Sequence, residues 1–175
     1  MAAHSFETLK RVIEDNSVAA HFSVAVHEWA VVSVEEHPDS QGECLCGQQN
    51  LLYMYTIRNS RNQETLTYIG SKCVEHFERA DLNAQVSVLS ELLTLKKAIE
   101  DGENITLTSD YFSKALLAWL FEEGAFKDGE GDYEFFLKMF NKRKKEDITV
   151  KQNRKIWAML NYQVKPFILN HSALG

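Results

Sequence analysis

The placement of three cysteines limits this chain more than any other feature. Cys44 and Cys46 are separated by one residue and followed by Gly47, while Cys73 and His76 stand i and i+3 beyond two strand-like runs. An odd cysteine count suits a disulfide framework poorly and suits thiolate ligands completed by a histidine. A tight turn at Gly47 can aim two sulfurs at one point, and Cys73 and His76, if helical, share a face. Cys44, Cys46, Cys73 and His76 are therefore expected to form a closed Cys₃His shell of the kind zinc prefers, although donors alone leave iron open. A closed shell has no position for a reacting water, so the expected zinc is structural.

His37, beside the turn at Pro38, is the rival fourth ligand. His21, His27 and His171 fall in helical or terminal segments and read as partly exposed side chains. Without His76 in the shell, Glu75 becomes a candidate base and a zinc hydrolase becomes the third functional class.

Around the cysteines the pattern is mixed. A helix is expected from Ser5 through Phe6, Leu9, Val12 and Ile13, and a second apolar stretch runs from Val18 to Trp29. Trp29–Glu36 is rich in β-branched residues and predicts a strand ending at Pro38. Leu51–Arg58 and Glu64–Ile69 read as two further strands joined by a polar hairpin loop, with Ser71 capping a short helix that carries Cys73. Beyond Leu82 the spacing predicts helices near 83–100, 109–123, 132–145 and 150–169. The last opens on a capping box, Thr149 with Gln152, and sets Ile156, Leu160 and Val164 on one face. The expected architecture is α+β: a small zinc-bound antiparallel β-hairpin unit with N-terminal helices over 1–80, then a helical bundle over 81–175.

The chain has 175 residues and a formal net charge of −6, which disfavours coating of a long phosphate backbone. No segment approaches the roughly 20 apolar residues that span a bilayer, and a cytoplasmic location is expected. Phosphate-binding glycine loops, nucleophile elbows, H-E-x-x-H and calcium loops are absent from the sequence, so the expectation is a protein that is not an enzyme.

Two charged surfaces remain. Lys138, Lys142, Arg143, Lys144, Lys145, Lys151, Arg154 and Lys155 form a basic patch, read first as helix-end charge that complements the macrodipole. Glu35, Glu36, Asp39 and Glu43, with Glu122, Glu123, Asp128, Glu130 and Asp132, form acidic surface that either keeps the chain in solution or imitates a phosphate track.

Cys44-Leu-Cys-Gly47, Ile57-Arg-Asn59 and Ile69-Gly-Ser-Lys-Cys73-Val-Glu-His-Phe77 resemble small zinc-binding proteins of bacteriophages and other mobile elements, over about a quarter of the chain. The segment Asp147–Gln152 looks like the start of a terminal helix in such proteins. Proteins of that kind with the cysteine-x-cysteine-glycine start often carry another cysteine in the first hairpin strand, where this chain has Tyr53 and Tyr55. That departure is why the fourth position is assigned to His76. The resemblance implies a non-enzymatic inhibitor of a host defence protein, of the anti-CRISPR type directed at a type II RNA-guided nuclease, acting in the host cytoplasm. The alternative is a nucleic-acid-binding accessory protein of phage replication or recombination using the basic patch with Arg58 and Arg61. Steep salt-dependent DNA binding would mark the accessory protein and its absence the inhibitor.

Overall fold

Alternation along Trp29–Glu36 sends Trp29, Val31 and Val34 into a core, and the change of spacing from two to three residues there marks a bulge. This strand, β1, pairs antiparallel with β2 (Tyr53–Asn59), which pairs antiparallel with β3 (Thr65–Ile69). The computed structural model describes residues 6–174, so Ser5, expected to open the first helix, lies outside the described residues. The sheet order is β1-β2-β3, which makes the protein α+β with a three-stranded antiparallel sheet built from the three expected strands.

Two compact units are present. Among the described residues the first runs to Ser90 and takes in the segment from Ser172, and the second is Glu91–His171, so the division falls within a helix. In the first unit, α1 (Phe6–Asp15) buries Leu9 and Ile13, and a short α2 (Phe22–Ala25) runs through one tight turn into β1. Trp29, which shares a helical spacing with Phe22 and Val26, begins the strand instead. Its indole N–H donates to Ser17 Oγ at 2.9 Å. After β3 come α3 (Ser71–Glu75) and α4 (Ala80–Glu100), the second of which continues into the other unit. The chain returns at its C-terminal end, where Ala173 O accepts Val34 N–H at 2.9 Å and Leu174 pairs parallel to β1. That segment covers backbone groups on the free side of an edge strand.

A carboxylate sits within this unit. Glu28 accepts from the backbone N–H groups of Val18 and Ala19 and from Asn59 Nδ2. Asn59 Oδ1 in turn accepts from Arg61 N–H at the tip of the β2–β3 hairpin. Both side chains are buried, and these bonds satisfy polar groups that would be costly to leave unpaired.

The second unit is helical: α5 (Lys114–Glu122), α6 (Glu130–Phe140), α7 (Val150–Met159), a wide π turn (Leu160–Val164) and α8 (Lys165–Asn170). The helix expected to begin at 109 starts later because Ser113 caps it, accepting Leu116 N–H at 3.0 Å. The helix expected to reach 145 stops at Phe140, and Lys145 folds back to donate to the end carbonyls of Met139 and Phe140. The capping box at Thr149 and Gln152 is present. No helix among the described residues is long and apolar enough to cross a membrane.

Candidate metal centre

In an antiparallel meander the end of β1, the start of β2 and the end of β3 lie at one edge, here through Glu36 opposite Tyr53 and Tyr55 opposite Ile69. All three cysteines stand at that edge. The β1–β2 connection continues as a narrowing loop, with Leu52 O accepting His37 N–H and Gly42 and Leu51 exchanging both backbone hydrogen bonds. Cys44 and Cys46 occupy its tip, where Gly47 N–H donates to Cys44 O at 2.7 Å and Gly47 adopts φ of 90°, a conformation that favours glycine. Leu45 N–H donates to Tyr68 O and ties the tip to β3. Two residues after Tyr68 the chain turns into α3, which presents Cys73.

The three sulfurs lie within 4.8 Å of one another, and each cysteine is at most 5% exposed. Cys44 Sγ and Cys73 Sγ are 3.3 Å apart, and Gly70 N–H donates to Cys44 Sγ at 3.2 Å. Sulfurs around a tetrahedral zinc, with Zn–S near 2.3 Å, sit roughly 3.8 Å apart, so the grouping fits a metal of that size. The Cys44 thiol is pushed down to about 5, chiefly by its hydrogen bond with Cys73, with backbone N–H groups of Cys46 and Gly70 adding to the effect. Cys73 moves up for the matching reason, its hydrogen bond with Cys44, with burial adding to it. Close approach of the sulfurs and backbone N–H groups aimed at Cys44 favour thiolate formation, which metal binding needs.

His76, the expected fourth ligand, does not join the group of three. It caps the end of α3, is exposed, and rests its ring against Phe6 at 5.0 Å between centroids. It nevertheless lines the same cavity of about 270 Å³ as Cys46, Cys73, Gln48, Lys72, Leu9 and Phe6. His37 is turned elsewhere, with Nε2 3.2 Å from Glu35 Oε1 and its ring edge-on to Tyr68. Glu75 is held at the surface by Lys72, with Nζ to carboxylate distances of 3.0 and 3.1 Å. Tyr55 is a core residue hydrogen-bonded to Ser90 Oγ.

Of the acidic residues, Asp132 is buried and receives Gln163 Nε2, Lys155 Nζ and Asp128 N–H. It holds α6 to the segment after α7 and is not part of an acidic surface. Glu122, Asp128 and Glu130 are exposed, and Glu123 lies 3.3 Å from His171. In the basic patch, Lys142 and Lys145 cap backbone carbonyls, and Lys155 pairs with Asp132 and lies over the Phe135 ring. Trp157 and Tyr162, both exposed, carry no expectation from sequence. Trp157 sits off the Ile156, Leu160 and Val164 face, which is the signal that marks it. No protein-family model, curated protein or solved structure matches the chain.

Proposed function

We propose that this chain is a non-enzymatic binding protein whose structural zinc, held by Cys44, Cys46, Cys73 and His76, fixes the edge of the sheet for docking onto a nucleic-acid-handling defence protein. The observation that carries the structural half is the burial of all three thiols at the point where the β1–β2 loop meets α3. A metal there replaces apolar core that a small three-stranded sheet lacks. His76 is the imidazole that shares the cavity with Cys46 and Cys73, and as an exposed side chain it can change rotamer at small cost. The target class, a type II RNA-guided nuclease, comes from the motif resemblance, supported by exposed carboxylates at Asp39, Glu43, Glu122, Asp128 and Glu130. The test is titration of the zinc-loaded protein against such a nuclease cleaving its target plasmid. Loss of cleavage near stoichiometric ratio is expected, and full cleavage at large excess would remove the inhibitor reading.

A second reading, a nucleic-acid-binding accessory protein, is favoured by one observation in the helical unit. Arg143, Lys144, Lys151 and Arg154 are exposed and make no carboxylate pair among the described residues. Between 138 and 165 the chain carries nine Lys and Arg against two acids, in a protein that is acidic as a whole.

A further inference from the structure

Pro166 has no N–H to give to the carbonyl of Tyr162, and its ring crowds that carbonyl, so a regular α-helix cannot run through this point. The chain widens into the π turn Leu160–Val164, closed by Lys165 N–H bonding back to Leu160 O. In a regular α-helix, residues i and i+5 diverge by about 140° around the axis. The widened turn instead brings Tyr162 beside Trp157, ring centroids 5.7 Å apart and planes at 84°. Both rings stay in water, Trp157 58% and Tyr162 63% exposed. One and two turns back along the same face lie Arg154, Asn153 and Val150, which with Trp157 border a shallow notch of about 320 Å³. Lys151 adds a second cation, without a carboxylate partner among the described residues, at the start of the helix.

From this arrangement we infer that the face of α7 built by Arg154, Trp157 and Tyr162 binds single-stranded nucleic acid. Bases stack on the exposed rings, and Lys151 and Arg154 meet the phosphates. The inference rests on the nucleic-acid-binding reading and names its ligand and surface. Stacking on aromatics beside unpaired cations is how single strands are held without sequence preference. A duplex hides its base faces and would leave the rings unused. A second copy of this chain docked symmetrically here would set Lys151 and Arg154 against their own kind, which charge opposes.

The test uses the full-length, zinc-loaded protein and a fluorescein-labelled oligothymidylate, read by anisotropy and by tryptophan emission at low salt. Expected are saturable binding, quenching of the indole emission, affinity lowered roughly tenfold in Trp157→Ala, and a smaller loss in Tyr162→Ala. Lys151→Ala and Arg154→Ala should each reduce the slope of log K against log salt by about 0.7. All four positions are exposed, so folding is preserved, with circular dichroism as the check. Equal binding by wild type and Trp157→Ala overturns the inference while leaving the nucleic-acid reading standing, with Arg58 the next position to examine. No binding by the wild type to the oligothymidylate or to duplex DNA overturns both. Quenching by polyglutamate but not by the oligothymidylate overturns the inference in favour of an acidic protein segment.

Discussion

Replacing Gly42 by alanine tests the construction of the cysteine loop most sharply. Gly42 is buried, and its φ is not positive, so alanine meets no conformational barrier there and only space decides the outcome. A Cβ at this position would lie 2.6 Å from Leu51 O and 2.8 Å from Met54 Sδ. The first contact is backbone, fixed by the paired hydrogen bonds between Gly42 and Leu51, and Met54 is only 1% exposed. Overpacking of this kind costs about 1–3 kcal/mol, and opening the Gly42–Leu51 pair adds about 1 kcal/mol. For a chain of this length that lowers Tm by roughly 4–16 °C. Gly70→Ala is the internal comparison. Its Cβ would meet Leu51 Cδ1 at 2.9 Å, the end of a flexible side chain, and next Cys44 Sγ at 3.8 Å. Rotation of Leu51 relieves that contact, so the cost should stay below about 1 kcal/mol. Both variants are compared with wild type by thermal unfolding and by zinc affinity against a competing chelator. Gly42→Ala should be the less stable and the weaker in zinc, because Cys44 stands two residues further along the displaced loop. A Gly42→Ala protein as stable as wild type, or less affected than Gly70→Ala, would refute this account of the loop.

Acid should unfold the protein through the buried carboxylates of Glu28 and Asp132. Burial alone would raise Glu28, but hydrogen bonds from Asn59, Val18 and Ala19, with Arg61 nearby, hold it below its ordinary 4.5. Asp132 is likewise held below 3.8 against burial, by Gln163, Lys155 and Asp128. A carboxyl depressed by folding contributes stability at pH above its unfolded value, and that contribution is lost as pH falls through the folded value. Tm should therefore hold between about pH 7 and 5 and drop below about pH 4, with a shallower acid limb in Glu28→Gln than in wild type. An acid limb unchanged in that variant would count against the Glu28 assignment. Thr149→Ala removes the hydroxyl half of the capping box of α7, the acceptor of Gln152 N–H, and should cost about 0.5–2 kcal/mol in urea unfolding, whereas a neutral result would mean that the helix starts elsewhere.

How far the sequence shows this molecule depends on how local each feature is. The bounds of β1 follow from β-branched residues between Trp29 and the turn at Pro38, and the structure has the strand over Trp29–Glu36. The meeting of Cys44, Cys46 and Cys73 is legible because strand order in a short meander leaves few arrangements, and Gly47 marks the turn. The position of His76 is not legible, since its ring is taken up by Phe6, which belongs to α1 and is distant in sequence. Asp132 reads as surface until Lys155, from the next helix, and Gln163, from the turn after it, supply its partners. The juxtaposition of Trp157 and Tyr162 depends on what Pro166 does to the preceding turn, and a regular helical wheel over 150–169 separates the two rings.

The central claim is that Cys44, Cys46 and Cys73 hold a structural metal, completed by His76. Its most direct test is elemental analysis of the purified native protein beside Cys73→Ser and His76→Ala, with Tm recorded on each sample. The account predicts one zinc per chain in the native protein, loss of zinc and of stability in Cys73→Ser, and weakened retention of both in His76→Ala. Native protein that carries no metal, or a Cys73→Ser variant that keeps its zinc and its Tm, would contradict it.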